Sequence, residues 1–159
     1  MNDRLFNTEA ELGLRCLFIL KAIYPNFCSI DRLLYLDYLS LYIEDFKEDA
    51  TNLHPKYPFQ SIEVLEKREV LKKSILELAL KGLIDVETND GLCFGCNGNT
   101  LWIIDSIQNN YSEHLVKNIQ MIIQETETKT DKELKDIIFS QKTNVDNEFN
   151  SFYPYTEEV

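Results

Sequence analysis

Residues 60–96 read QSIEVLEKREVLKKSILELALKGLIDVETNDGLCFGC, and the order of elements in this stretch decides the fold. Apolar side chains at Ile62, Val64, Leu65, Val70, Leu71, Ile75, Leu76, Leu78, Ala79 and Leu80 predict one long helix over residues 60–81. Gly82 ends it, because the residue after a helix commonly takes a positive φ that costs glycine little. Leu83-Ile84-Asp85-Val86-Glu87-Thr88 then alternates apolar and polar side chains and predicts a strand. Asn89-Asp90-Gly91 supplies residues tolerant of a tight turn, so Leu92-Cys93-Phe94-Gly95-Cys96 can return antiparallel. Helix, glycine, strand, turn, strand is the back half of a winged helix.

Upstream, Thr8-x-x-Glu11 has the capping-box spacing and opens a helix that runs to about Ala22 and stops before Pro25. Its apolar residues cover most of the circumference, which places it centrally. Ser29 is a good N-cap for a second helix with Leu33, Leu34, Leu36 and Leu39 on its apolar face, to about Leu41. Residues 44–58, with five acidic or amide side chains and Leu53-His54-Pro55, predict a long loop. Downstream, further helices are expected over residues 101–107 and 112–124, and a short one over residues 130–140 capped by Thr130. The predicted class is therefore mostly α with a small β-hairpin, a single winged-helix-like domain. Residues 1–124 form its body. Residues 125–159, with nine acidic and four basic side chains, form an acidic extension with a short helix and an aromatic tail that is either a disordered end or a docking segment.

Length and composition agree with one domain. At 159 residues with 44% hydrophobic side chains, the chain can bury a core without a metal or disulfide staple. Sixteen Lys and Arg against 27 Asp and Glu give a net charge of −11, which repels phosphate backbones and anionic membranes. The apolar run over residues 12–23 is broken by Gly13, Arg15 and Lys21, and acidic residues precede it, so neither a membrane span nor a signal peptide is read there. A cytoplasmic protein with reduced thiols at Cys16, Cys28, Cys93 and Cys96 is expected. Cys93-x-x-Cys96 lacks a second ligand pair for zinc and ends a strand instead of starting a helix, as a redox pair would.

No phosphate-binding glycine loop, GxSxG or HExxH motif occurs, so no enzyme and no cofactor are predicted. His54, flanked by Leu53 and Pro55, reads as a structural hydrogen-bonder before it reads as a base. Arg15 sits in an apolar helix and needs a buried carboxylate partner, with Asp31, Asp37 and Glu11 available. Arg15, Asp37, His54 and Arg68 are accordingly expected to form a polar network that fixes the helices and the loop at residues 53–58. Lys67, Arg68, Lys72 and Lys73 are the candidate DNA contacts, since residues 59–82 alone carry a non-negative balance, +1. Glu63, Glu66, Glu69 and Glu77 on the same helix can neutralise them.

Particular residues also resemble a known family. Gly13-Leu14-Arg15, Asp31-Arg32-Leu33 with Leu36-Asp37-Tyr38, and Leu53-His54-Pro55 are similar to the middle component of bacterial ABC-ATPase three-component systems, which includes the accessory subunit of Lamassu-type antiphage defence complexes. The likeness covers about residues 5–84. Residues 44–49 (EDFKED) replace the Gly- and Pro-containing stretch of that family. The resemblance implies a non-catalytic subunit between an SMC- or Rad50-like ABC ATPase and an effector, often a nuclease, touching DNA only through the complex and no membrane. Phe6, Tyr24, Phe149, Phe152, Tyr153 and Tyr155 are the candidate protein contacts; a winged-helix DNA-binding regulator is the alternative.

Overall fold

The computed structural model describes residues 8–140. Helix α1 (Glu9–Ile23) starts where the Thr8 hydroxyl accepts from the Glu11 amide at 3.2 Å and the Glu11 carboxylate accepts from the Thr8 amide at 3.4 Å. Helix α2 (Ile30–Leu41) is capped by Ser29, whose hydroxyl accepts from the Arg32 amide. A 3-10 turn (Ile43–Asp45) leads into the irregular stretch before α3 (Gln60–Leu80). Gly82, at φ 72°, then reverses the chain: its amide donates to the Ala79 carbonyl and the Leu83 amide to the Leu78 carbonyl. Those two bonds satisfy the last carbonyls of α3 and aim the chain into β1 (Ile84–Glu87).

Strand β1 pairs antiparallel with β2 (Cys93–Cys96), Ile84 facing Cys96 and Val86 facing Phe94. Cys28 adds a single bridge to the free side of β2, exchanging both backbone bonds with Phe94 at 2.9 and 3.0 Å. Three helices follow, α4 (Gly98–Asp105), α5 (Asn110–Thr126) and α6 (Asp131–Ser140). Among the described residues the fold is thus mostly helical with one antiparallel hairpin, as the sequence predicts.

Two helix starts differ from the prediction. Helix α4 begins at Gly98, three residues before the expected Leu101, because the Asn97 side chain accepts from the amides of Asn99 and Thr100. Helix α5 begins at Asn110, two residues early, because Asn109 forms a capping box with Ser112. Local caps outweigh the poor helix propensity of Gly98, Asn99 and Asn110.

Helix α1 is the central element, packing on α2, α3, α4, α5 and β2. Leu12, Cys16, Ile19 and Leu20 meet Leu33, Leu71, Ile75, Phe94 and Leu115 in a single core. Gly13 allows the closest approach of α1 to α3: an added Cβ would collide with the Ser74 hydroxyl, which donates to the Glu9 carbonyl at 2.9 Å. Helix α6 covers α2, with Leu134 and Ile138 buried and Arg32 donating to Asp131 at 2.9 Å. No helix among the described residues is long and apolar enough to cross a membrane.

Candidate functional site

Arg15 lies on α1 in a turn whose other side chains are apolar, so its guanidinium has to find its partner inside the protein. Asp37 on α2 provides it: Nε donates to Oδ1 at 2.7 Å and Nη2 to Oδ2 at 3.0 Å, a two-pronged pair whose side chains are 3% and 2% exposed. Burial alone would push the Arg15 pKa down, but the charge and hydrogen bonds of Asp37 outweigh it and hold the guanidinium above its ordinary value. Tyr111, at the start of α5, also takes a hydrogen bond from Arg15.

The Tyr111 hydroxyl stands 3.0 Å from Nε2 of His54. The tautomer of the imidazole sets which of the two donates in this bond. His54 is buried, and burial, followed by the positive charge of Arg15, lowers its pKa to about 4. It is neutral at physiological pH and buried, which makes it a joint in a scaffold and a poor general base.

The segment carrying His54 is fastened on several sides. The Leu53 amide donates to the Leu41 carbonyl at 3.0 Å, and Asn118 of α5 donates to the carbonyls of Ser40 and Thr51. Glu44 and Asn52 exchange backbone and side-chain bonds at 2.8 and 3.1 Å. The acidic stretch at residues 44–49 is therefore a clasp around the loop: Asp45 also accepts from Gln60 and from Lys56, each at 2.7 Å.

Beyond His54 a second polar group continues the band. Its ring meets Tyr42 edge-on, with centroids 6.4 Å apart. The Glu63 carboxylate accepts from the hydroxyls of Tyr42 and Tyr57 and from Lys67, the last at 2.8 Å. Burial and the neighbouring carboxylate raise the pKa of both tyrosines. From Arg15 to Lys67 the band stitches α1, α2, α3, α5 and the intervening loop together. A cleft of about 210 Å³ between α1 and α5 reaches Arg15 and Tyr111, smaller than the usual volume of a ligand site.

The structure therefore brings Arg15 and Asp37 into contact and joins His54 to them through Tyr111. Arg68 stands apart: its Nε donates to Asp31 at 2.7 Å at a half-exposed position, and Nη1 approaches Glu69 at 3.4 Å. Tyr111 is the member that sequence reading missed, and no local signal marks it, 57 residues from His54; Asp31, expected as a possible partner of Arg15, pairs with Arg68, and Glu63 neutralises Lys67. The four cations considered for DNA do not share one surface. Lys67 is turned inward and buried against Glu63, one helical turn away, because the tyrosines above leave that carboxylate shielded from water. Lys73 reaches Glu9 at 3.2 Å, and Lys72 is exposed.

Of the candidate protein contacts, Tyr24 is exposed at the end of α1, whereas Phe6, Phe149, Phe152, Tyr153 and Tyr155 lie outside the described residues. Two exposed apolar side chains were not anticipated, Trp102 on α4 at 79% and Leu80 at the end of α3 at 88%. Both belong to the end of the molecule where Asn97 and Asn99, at the start of α4, donate to the Gly82 carbonyl. The four cysteines are free thiols, and burial raises the pKa of Cys16, Cys28 and Cys96, leaving them weak nucleophiles. Among the described residues no group of three or more His, Cys, Asp or Glu side chains is placed to hold a metal ion.

Of three comparisons with known proteins, one finds a match. The family model described as ABC-three component (ABC-3C) system Middle Component 2 matches residues 5–148. No curated protein and no solved structure matches the chain.

Proposed function

Because this chain belongs to the middle component 2 family of ABC-three component systems, we propose that it is a non-catalytic accessory subunit that bridges an SMC- or Rad50-like ABC ATPase and an effector, a nuclease, in a cytoplasmic antiphage complex of the Lamassu type. The observation that carries this reading is where polarity and apolarity sit. Arg15, Asp37, His54 and Lys67 are buried, with Arg15 paired to Asp37, Lys67 to the half-buried Glu63, and His54 bonded to Tyr111, while Leu65, Leu80 and Trp102 face solvent. A domain that spends its polar groups on rigidity and presents apolar side chains outward is suited to gripping another polypeptide.

The order of elements supports a winged-helix reading of the scaffold. Helix α1, the Cys28 bridge, α2, α3 and the β1–β2 hairpin follow one another as the helices, first strand and wing of that fold do. In a DNA-binding winged helix α3 would present cations to the major groove. Here its outward face carries Ile62, Leu65, Leu76 and Leu80, and Lys67 faces inward, which favours protein docking over the DNA-binding regulator. Co-expression with the two neighbouring genes tests the proposal: the subunit is expected to purify with an ATPase and an effector. A subunit that ignores both, or that alone hydrolyses ATP or cuts DNA, refutes it.

A further inference from the structure

The outward face of α3 has a pattern that docking to an unrelated protein does not require. Taking 100° per residue, Ile62, Leu65, Glu69, Lys73, Leu76 and Leu80 fall within an arc of about 80° along one side of the helix. All six are exposed, Leu65 at 62%, with apolar residues at both ends and the charged pair at the middle. The stripe spans about 27 Å at 1.5 Å per residue.

The stripe is complementary to its own reverse. We propose that two copies of this chain pair antiparallel along α3, about a twofold axis level with Leu71. In that arrangement Ile62 lies level with Leu80 of the second copy, Leu65 comes within one residue's rise of its Leu76, and Glu69 lies level with its Lys73. The twofold makes every contact occur twice, as a self-complementary interface demands. A parallel pair in register would set Glu69 against Glu69 and Lys73 against Lys73, so charge selects the antiparallel form. The two charged side chains are free to repartner: Glu69 is 77% exposed beside Arg68, Lys73 is 67% exposed beside Glu9, and exposed pairs of that kind hold little energy. The inference concerns the subunit alone and stands whichever ATPase or effector it serves.

Sedimentation equilibrium of the full 159-residue chain between 1 and 100 μM tests the pairing, starting from a monomer mass of 18.6 kDa. A reversible dimer is expected. Glu69→Lys and Lys73→Glu should each weaken it about tenfold, since each places like charges together twice. The double variant should restore dimerisation toward the original value. Leu65→Glu should weaken it strongly while leaving the far-UV circular dichroism of the chain unchanged, because that side chain is 62% exposed in the monomer. A monomer at 100 μM, or a dimer indifferent to both charge reversals, overturns the proposal. So does a monomer that binds the ATPase through Leu65 and Leu76, which would assign this face to that partner and leave the accessory role standing.

Discussion

Replacing Asp37 with Ala removes two hydrogen bonds and the paired carboxylate of a guanidinium whose side chain is 3% exposed. The Tyr111 hydroxyl stays beside Arg15, and a hydroxyl does not neutralise a cation. Breaking one side of a buried ion pair typically costs about 3–5 kcal/mol, because the surviving charge is left desolvated. For a chain of this length each kcal/mol moves the midpoint by roughly 2–4 °C, so the variant should melt about 6–20 °C lower. Circular dichroism at 222 nm reads the transition. Asp37→Asn keeps the side-chain volume yet removes the charge, and most of the loss should persist, separating electrostatics from packing. Arg15→Met with Asp37→Leu should recover most of it, since replacing both ions with apolar groups of similar size is often neutral. If Asp37→Ala melts within about 2 °C of the parent, where surface changes fall, or if the double variant is no better than the single one, the pair does not brace α1 against α2.

Other expectations follow from the same geometry. His54 has an ordinary pKa of 6.5 and a folded one of about 4, so the unfolded chain takes up its proton first. Its contribution is complete above pH 6.5 and falls as pH drops toward 4, by roughly 3 kcal/mol at most; His54→Gln should flatten the pH dependence of chemical unfolding between pH 7 and 5, and an unaltered slope there would exclude His54 as its source. Gly13→Ala drives a methyl into the Ser74 hydroxyl and should cost about 1–3 kcal/mol by urea titration, whereas a neutral result would mean α1 and α3 can separate freely. Trp102, the single tryptophan, is 79% exposed and should shift its emission to shorter wavelength when the ATPase or effector binds; if binding is established by another method and the spectrum stays put, α4 is not at that interface.

What was legible in the residues is what is decided within about four positions of the chain. The Thr8–Glu11 box, the Ser29 cap and the Gly82 reversal need only neighbours along the backbone, so those helix ends and the hairpin could be read directly, whereas the equally local Asn97 and Asn109 caps start α4 and α5 earlier than the apolar pattern does. The family likeness rested on such short runs as well, and the matching family model extends over residues 5–148. Arg15 in an apolar turn announced that some carboxylate had to meet it, and Asp37 was one of three on offer.

Which carboxylate, and through whom His54 would join, was settled by the packing of α1 against α2 and α5. Asp37 and Arg15 are 22 positions apart, Tyr111 and His54 are 57, and nothing periodic links them. The same packing turned Lys67 inward toward Glu63, left Arg68 to Asp31, and set Leu80 and Trp102 outside the core. Helical periodicity tells which residues share a face, but only the angle and depth at which helices meet decide which part of that face stays wet, because desolvation depends on every neighbour at once.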